Sequence, residues 1–132
     1  MVIDTSALVA VLQDEPERRT FNETLEAAER CSMSAASFVE TSMAIESRYG
    51  PEGVRILDLF VSKARIALVP VDVDQAYLAR EAFRRYGKGR HPAGLNYGDC
   101  FAYALAKVLD DEPLLFKGED FARTDIVPAV AP

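Results

Sequence analysis

Short apolar runs, each ended by a polar residue or a turn, set the rhythm of the chain. Val2 and Ile3 form a β-branched pair that stops at Asp4, which predicts a short buried strand with a carboxylate at its carboxyl end. The apolar pattern resumes at once, so residues 6–13 read as a helix that Asp4 is placed to cap. Pro16, at a first helical position, opens a second helix through Arg19, Phe21, Leu25 and Ala28 to about Arg30. Cys31–Ser34 reads as a second strand. Ser34 or Ser37 then caps a helix carrying Phe38, Val39, Met43 and Ile45, which Gly50-Pro51 stops. Another helix holds Val54, Ile56, Leu57, Leu59, Phe60 and Val61. Residues 66–70 read as a third strand, and Asp72 or Asp74 caps a helix through Ala76, Leu78, Ala79, Ala82 and Phe83. After a glycine-containing loop, residues 97–109 form a helix that is apolar on nearly every face. Residues 113–116 read as a fourth strand.

Strands alternating with helices predict an α/β fold: a short, mostly parallel sheet of about four strands flanked by helices. With 132 residues, 49% of them apolar and 27% charged, the chain reads as one globular domain over 1–132. No apolar run approaches the roughly 20 residues of a membrane span. The amino terminus lacks a basic segment and carries Asp4 inside its apolar stretch, so no secretory leader is expected and a cytoplasmic location is. Cys31 and Cys100 are far apart and read as small core residues in a reducing compartment. The single histidine, His91, excludes a His-rich zinc site and a catalytic His pair. A net charge of −6 argues against nucleic acid when taken alone. Its distribution reopens the question, because Arg84, Arg85, Lys88 and Arg90 lie together in FRRYGKGRHPAG with no acid among them.

Four carboxylates sit where this fold concentrates ligands, beyond the carboxyl ends of parallel strands. Each has a local explanation. Asp4 caps a helix. Glu40 closes a capping box in Ser37-Phe-Val-Glu40. Asp99 is the third residue of a helix capped by Asn96, where a few tenths of a kcal/mol of dipole energy favour an acid. Asp120 belongs to the turn Gly118-Glu119-Asp120. Periodicity flags Glu46 more strongly than Glu40, since it falls nearer the middle of the apolar stripe, where Arg48 or Arg80 would pair with it. Yet the dipole term is too small to explain an acid at the mouth of a buried helix. Gathered in one crevice, four carboxylates repel one another, so either some pKa values rise or a divalent cation sits among them. An all-oxygen set favours Mg²⁺ or Mn²⁺ over Zn²⁺.

The segments MVIDTSALVAVL, SAASFVETSMAIESRYG, RYGKGRHPAGLNYGDCFAYALAK and LLFKGEDFARTDI together resemble PIN-domain proteins, specifically VapC-type toxins of type II toxin–antitoxin systems. The resemblance spans nearly the whole chain. It implies a PIN-like α/β/α sandwich and a Mg²⁺-dependent endoribonuclease that inhibits growth. The family's metal-binding acids fall on Asp4, Glu40, Asp99 and an acid after the last strand. Many relatives carry that last acid where this chain has Gly118, so Asp120 or Glu119 takes the role, with Asp120 preferred. Ser6 matches the hydroxyl that orients the first acid or a water. A metal activates water and neutralises phosphoryl charge without a His pair, so products with 5′-phosphate and 3′-hydroxyl ends are expected. The basic loop leads into Asn96 and Asp99 and is therefore expected to hold the RNA backbone. A cognate VapB-type antitoxin covering the site and a homodimer are also implied. Two other readings stand beside this one. One is a PIN fold that only binds RNA or protein. The other is a phospho-accepting receiver domain using Lys117, which would need a second acid beside Asp4.

Overall fold

The computed structural model describes residues 1–131. Four strands, β1 (Val2–Ile3), β2 (Cys31–Ser34), β3 (Ile66–Val69) and β4 (Leu114–Leu115), form one parallel sheet in the order β3-β2-β1-β4. Five helices connect and cover them: α1 (Thr5–Leu12), α2 (Arg18–Ala27), α3 (Ala35–Lys63), α4 (Val73–Tyr86) and α5 (Tyr97–Val108).

Strand alternation divides the core in two. Val2 and Leu114 point to one face, where they meet Ala79 and Ala82 of α4 and Tyr103 and Leu105 of α5. Ile3, Met33 and Leu115 point to the other, where they meet Leu8 and Val11 of α1, Phe21 and Leu25 of α2 and Leu57 of α3. The result is the expected α/β/α sandwich. Both free cysteines, Cys31 and Cys100, are buried core residues. No helix among the described residues is long and apolar enough to cross a membrane.

Four polar residues set the helix starts. Asp4, Ser34, Asp72 and Asn96 each cap through a side-chain oxygen, and Asp72 rather than Asp74 caps α4. The two helices expected on either side of Gly50-Pro51 are present, joined across a kink and numbered together as α3. Gly50 adopts φ 70° and ψ −162°, a conformation that suits glycine, and the bend falls there, just before Pro51.

Three expectations need correction. Ser37 does not cap α3: it lies buried one turn inside, its hydroxyl without a partner among the described residues, so the Ser37–Glu40 capping box does not form. Glu46 is exposed, and neither Arg48 nor Arg80 pairs with it; Arg48 donates to Gln13 instead. The stripe misled because α3 buries small polar residues. Ser37, Thr41 and Ile45 face inward, and Thr41 hides its hydroxyl by donating to Ser37 O at 2.8 Å, while Val39 and Met43 face solvent. Lastly, α2 is shorter at both ends than expected, running over Arg18–Ala27 with no side-chain cap at Glu17.

The tail adds pairing that no strand signal announced. Leu114 N donates to Val127 O and Ala129 N to Leu114 O, both at 2.9 Å, so residues 127–129 cover the β4 edge. Pro128 had masked this segment as a strand.

Candidate active site

The strand order reverses at β1: the chain moves outward through β2 and β3, then returns to place β4 on the other side. A crevice opens at such a switch point. Asp4 stands at its floor. Its backbone N–H donates to Leu115 O at 3.0 Å, which ties the end of β1 to the end of β4. Its Oδ2 accepts from Ser6 N at 3.0 Å and from Ser6 Oγ at 2.6 Å, and Lys117 N in turn donates to Ser6 Oγ at 3.0 Å. Ser6 therefore orients Asp4 directly.

Asp4 is only 3% exposed. Burial pushes its carboxyl up to about 6; the Ser6 hydroxyl and amide oppose that shift, and the charges of Asp99 and Glu40 add to it. Asp99 is also raised, first by burial and then by repulsion from Glu40 and Asp120, against the pull of the Asn96 amide. Thr5, next to Asp4, and Gly98, next to Asp99, both touch the Glu40 carboxylate, so these three acids lie close together, and Asp120 adds its charge to Asp99.

Each wall has its own support. Asn96 and Asp99 form a reciprocal capping box: Asp99 N donates to Asn96 Oδ1 at 2.9 Å and Asn96 N to Asp99 Oδ2 at 3.0 Å. Thr5 donates its hydroxyl to Glu40 Oε1 at 2.8 Å, with Ser37 O as a second acceptor at 3.1 Å. Gly98 packs against the same carboxylate, so closely that a β-carbon there would lie 2.6 Å from Glu40 Oε1. Thr5 and Gly98 are positioning residues that sequence reasoning passed over. The hydroxyl beside Asp4 was the available signal for Thr5, and only Ser6 was read from that motif.

Beyond β4, Gly118 has φ 97°, the left-handed region that any other side chain enters at a cost. A backbone of this shape suits the glycine at this position. Glu119 pairs with Arg123 at 3.2 Å, whereas the charge of Asp120 reaches Asp99.

Three acids each commit one oxygen to positioning: Asp4 Oδ2, Glu40 Oε1 and Asp99 Oδ2. Their second oxygens accept no protein hydrogen bond among the described residues. The donor set thus fits a hard divalent cation, with oxygen ligands only and negative charge in excess. The acids do not converge into a closed cage: no group of three or more acid, imidazole or thiol side chains among the described residues has that geometry.

The basic loop is brought to the crevice unevenly. Lys88 N donates to Leu95 O and Leu95 N to Tyr86 O, each at 2.9 Å, so the loop doubles back and sets Lys88 beside the Asn96 cap. Arg90 lies over the Phe83 ring at 5.2 Å. Arg84 is drawn to Glu81 on its own helix. Arg85 stacks on Tyr86 and faces Asp125 at 3.7 Å. Lys117 holds Glu15 and Glu17, and Asp4 has no second acid beside it in sequence, so the arrangement of a receiver domain is absent.

A family model for the PIN domain matches residues 1–127. Ribonuclease VapC of Mycolicibacterium smegmatis is 60% identical over 126 residues, covering 96% of this chain and 97% of that protein. Ribonuclease VapC30 of Mycobacterium tuberculosis is 57% identical over 132 residues, the full length of both. Among solved structures, VapC20 of M. tuberculosis, a toxin that cleaves the sarcin–ricin loop, superposes with a TM-score of 0.80 at 17% identity, covering 99% of this chain and 98% of that one. VapBC2 of Rickettsia felis, bound to a DNA fragment from its promoter, gives 0.73 at 12% identity, covering 96% and 94%. The acidic crevice at the sheet switch point therefore has its context: this chain belongs to the PIN-domain family and, within it, to the VapC ribonucleases.

Proposed function

We propose that this protein is the toxin of a type II toxin–antitoxin pair, an endoribonuclease that depends on Mg²⁺, with Mn²⁺ as a substitute, and acts in the cytoplasm. The observation that carries this reading is the gathering of Asp4, Glu40, Asp99 and Asp120 round one crevice, three of them with one oxygen held in place and one left free. Asp4 and Asp99 would be the primary ligands for the cation, which would supply a lowered pKa of bound water and an offset to the negative charge developing on the phosphoryl oxygens.

The chain's own groups do the rest. Ser6 and Asn96 fix the two primary carboxylates. Thr5 holds one oxygen of Glu40, which leaves the other to accept a proton or a hydrogen bond from water. Asp120 closes the opposite wall, supported by its reach to Asp99 and by the engagement of Glu119 with Arg123. Attack by water leaves the 2′-hydroxyl unused and gives 5′-phosphate and 3′-hydroxyl ends.

Lys88 and Arg90 hold the RNA backbone beside the α5 amino terminus, while Arg84 and Arg85 contribute less because Glu81 and Asp125 already engage them. Replacing Lys88 and Arg90 with Ala should weaken RNA binding and reduce its salt slope by about 1 per residue removed. Fluorescence anisotropy across a salt series measures this; an unchanged slope would remove the loop from the interface.

A VapB-type antitoxin and a homodimer belong to the same proposal. The Rickettsia relative was solved as a VapBC assembly. In this chain α3 leaves Val39, Met43, Ile56 and Leu59 exposed, more apolar surface than core packing explains.

The test is cleavage of total RNA by purified protein with Mg²⁺, with EDTA, and with Asp99→Asn. Cleavage is expected only for the wild type with Mg²⁺. Metal-independent cleavage, or full activity in the variant, would overturn the mechanism. RNA binding without any cleavage would favour a pure binding module.

A further inference from the structure

On the flank of α5 away from Asp99 lies a second feature, apolar rather than acidic. Tyr97 is 81% exposed, the most exposed of the large hydrophobic residues described. It meets the edge of Phe101, one turn along, with ring centroids 4.9 Å apart and planes at 79°. Facing them across a cleft of about 440 Å³ are Ala79, Arg80 and Phe83 of α4. No acid lines this cleft. The Arg90 guanidinium sits over Phe83 at its rim, and that of Arg80 over Tyr77 at 4.9 Å.

We propose that this cleft is a nucleobase subsite, in which Tyr97 stacks an unpaired base of the RNA strand next to the cleaved phosphate. The inference rests on the ribonuclease reading and adds to it where the strand is gripped.

Three considerations support it. Position is the first. Tyr97 and Phe101 share one flank of α5 because they are four residues apart, and Asp99 projects from the opposite flank of the same turn. A helix is about 10 Å across, so a strand lying over the α5 amino terminus meets the acids on one side and Tyr97 on the other. Chemistry is the second. An exposed ring is a stacking surface for any base, and an apolar cleft of this size accepts one. Charge is the third. The acids repel phosphate, so the strand needs cations to hold it on either side of the crevice. Lys88 stands by the cap, and Arg80 and Arg90 stand at the cleft, where they neutralise the backbone of the nucleotide whose base is stacked.

The chain contains no tryptophan, so Tyr97→Trp introduces a single reporter. Titration of this variant in EDTA with a single-stranded oligoribonucleotide is expected to quench the indole emission saturably. An oligomer of equal length made of abasic sugar phosphates should bind by charge without quenching. Tyr97→Ala should bind the normal oligomer about 5- to 150-fold more weakly, the equivalent of ~1–3 kcal/mol per stacked base. With Mg²⁺ its KM should rise by a similar factor with kcat little changed, and Tyr97→Phe should restore the wild-type KM. Equal quenching by the abasic oligomer, or unchanged affinity in Tyr97→Ala, would overturn the proposal. So would sedimentation showing an RNA-free dimer that Tyr97→Ala converts to monomer, with no quenching by RNA, since the face would then bind a second copy of the chain. Failure of the wild type to cleave RNA would instead defeat the ribonuclease reading, and the EDTA titration would still decide whether a base is bound.

Discussion

Asp4→Asn should abolish RNA cleavage and, at neutral pH without divalent cation, make the protein more stable. The two effects share one cause. Asp4 is buried at the end of β1 with its carboxyl raised to about 6, against an ordinary value of 3.8. The folded chain therefore holds a proton on this group that the unfolded chain has already released between those values. Stability falls as pH climbs from about 4 to about 6, and the deficit persists above that range at about 3 kcal/mol. Asparagine carries no charge to desolvate, and its carbonyl oxygen still accepts from the Ser6 amide and hydroxyl. Thermal unfolding in EDTA should show the variant gaining several degrees at about pH 7.5 and little at about pH 4. Activity should fall on the order of 10³-fold, the scale of several kcal/mol of lost charge stabilisation. A variant that is less stable than wild type at both pH values would contradict the electrostatic account of Asp4.

Gly98→Ala should cost activity without costing the fold. Its new β-carbon would fall 2.6 Å from Glu40 Oε1, and the nearest atoms, which would have to move, belong to the end of a flexible side chain. Glu40 would swing out of the crevice and lose the Thr5 hydroxyl at 2.8 Å. Misplacement of a catalytic group by about 1 Å lowers rates by about 10²-fold, and that is the expected loss in kcat. The unfolding temperature should stay within about a degree or two, since alanine favours helix over glycine by up to ~1 kcal/mol. Thr5→Val reaches the same carboxylate from the other side and should lower kcat in the same direction. If Gly98→Ala retained full kcat, Glu40 would have no role in the reaction.

The sheet and its helices were legible because each rested on a strong local signal. Val2-Ile3-Asp4 marked a strand end, Gly50-Pro51 marked the bend of α3, and Asn96 with Asp99 marked a capped helix start. Asp4 and Asp99 could be picked out as charges in apolar surroundings, whereas Glu40 was singled out through the family resemblance. Periodicity failed on α3 because burial there follows Ser37 and Thr41, small polar residues of which only Thr41 satisfies its hydroxyl in a local hydrogen bond, and so Glu46 looked better placed than Glu40. The roles of Thr5 and Gly98 were missed for a related reason, although the hydroxyl of Thr5 stood beside Asp4. Their work is done across elements, between α1 and α3 and between α5 and α3, and no spacing along the chain reports it. The pairing of residues 127–129 with β4 was hidden by Pro128. Of the two acids after β4, Asp120 was the one preferred from the sequence, and the engagement of Glu119 by Arg123 with the charge of Asp120 acting on Asp99 is consistent with that preference.

The central claim is that the crevice is built to hold a divalent cation, and the most direct measurement is calorimetric titration of Mg²⁺ or Mn²⁺ into the RNA-free protein. Saturable binding is expected, with proton release that grows as pH is lowered toward 6, where Asp4 is increasingly protonated before the cation arrives. Asp4→Asn and Asp99→Asn should each remove it. Absence of saturable binding in the wild type, or undiminished binding in both variants, would contradict the account.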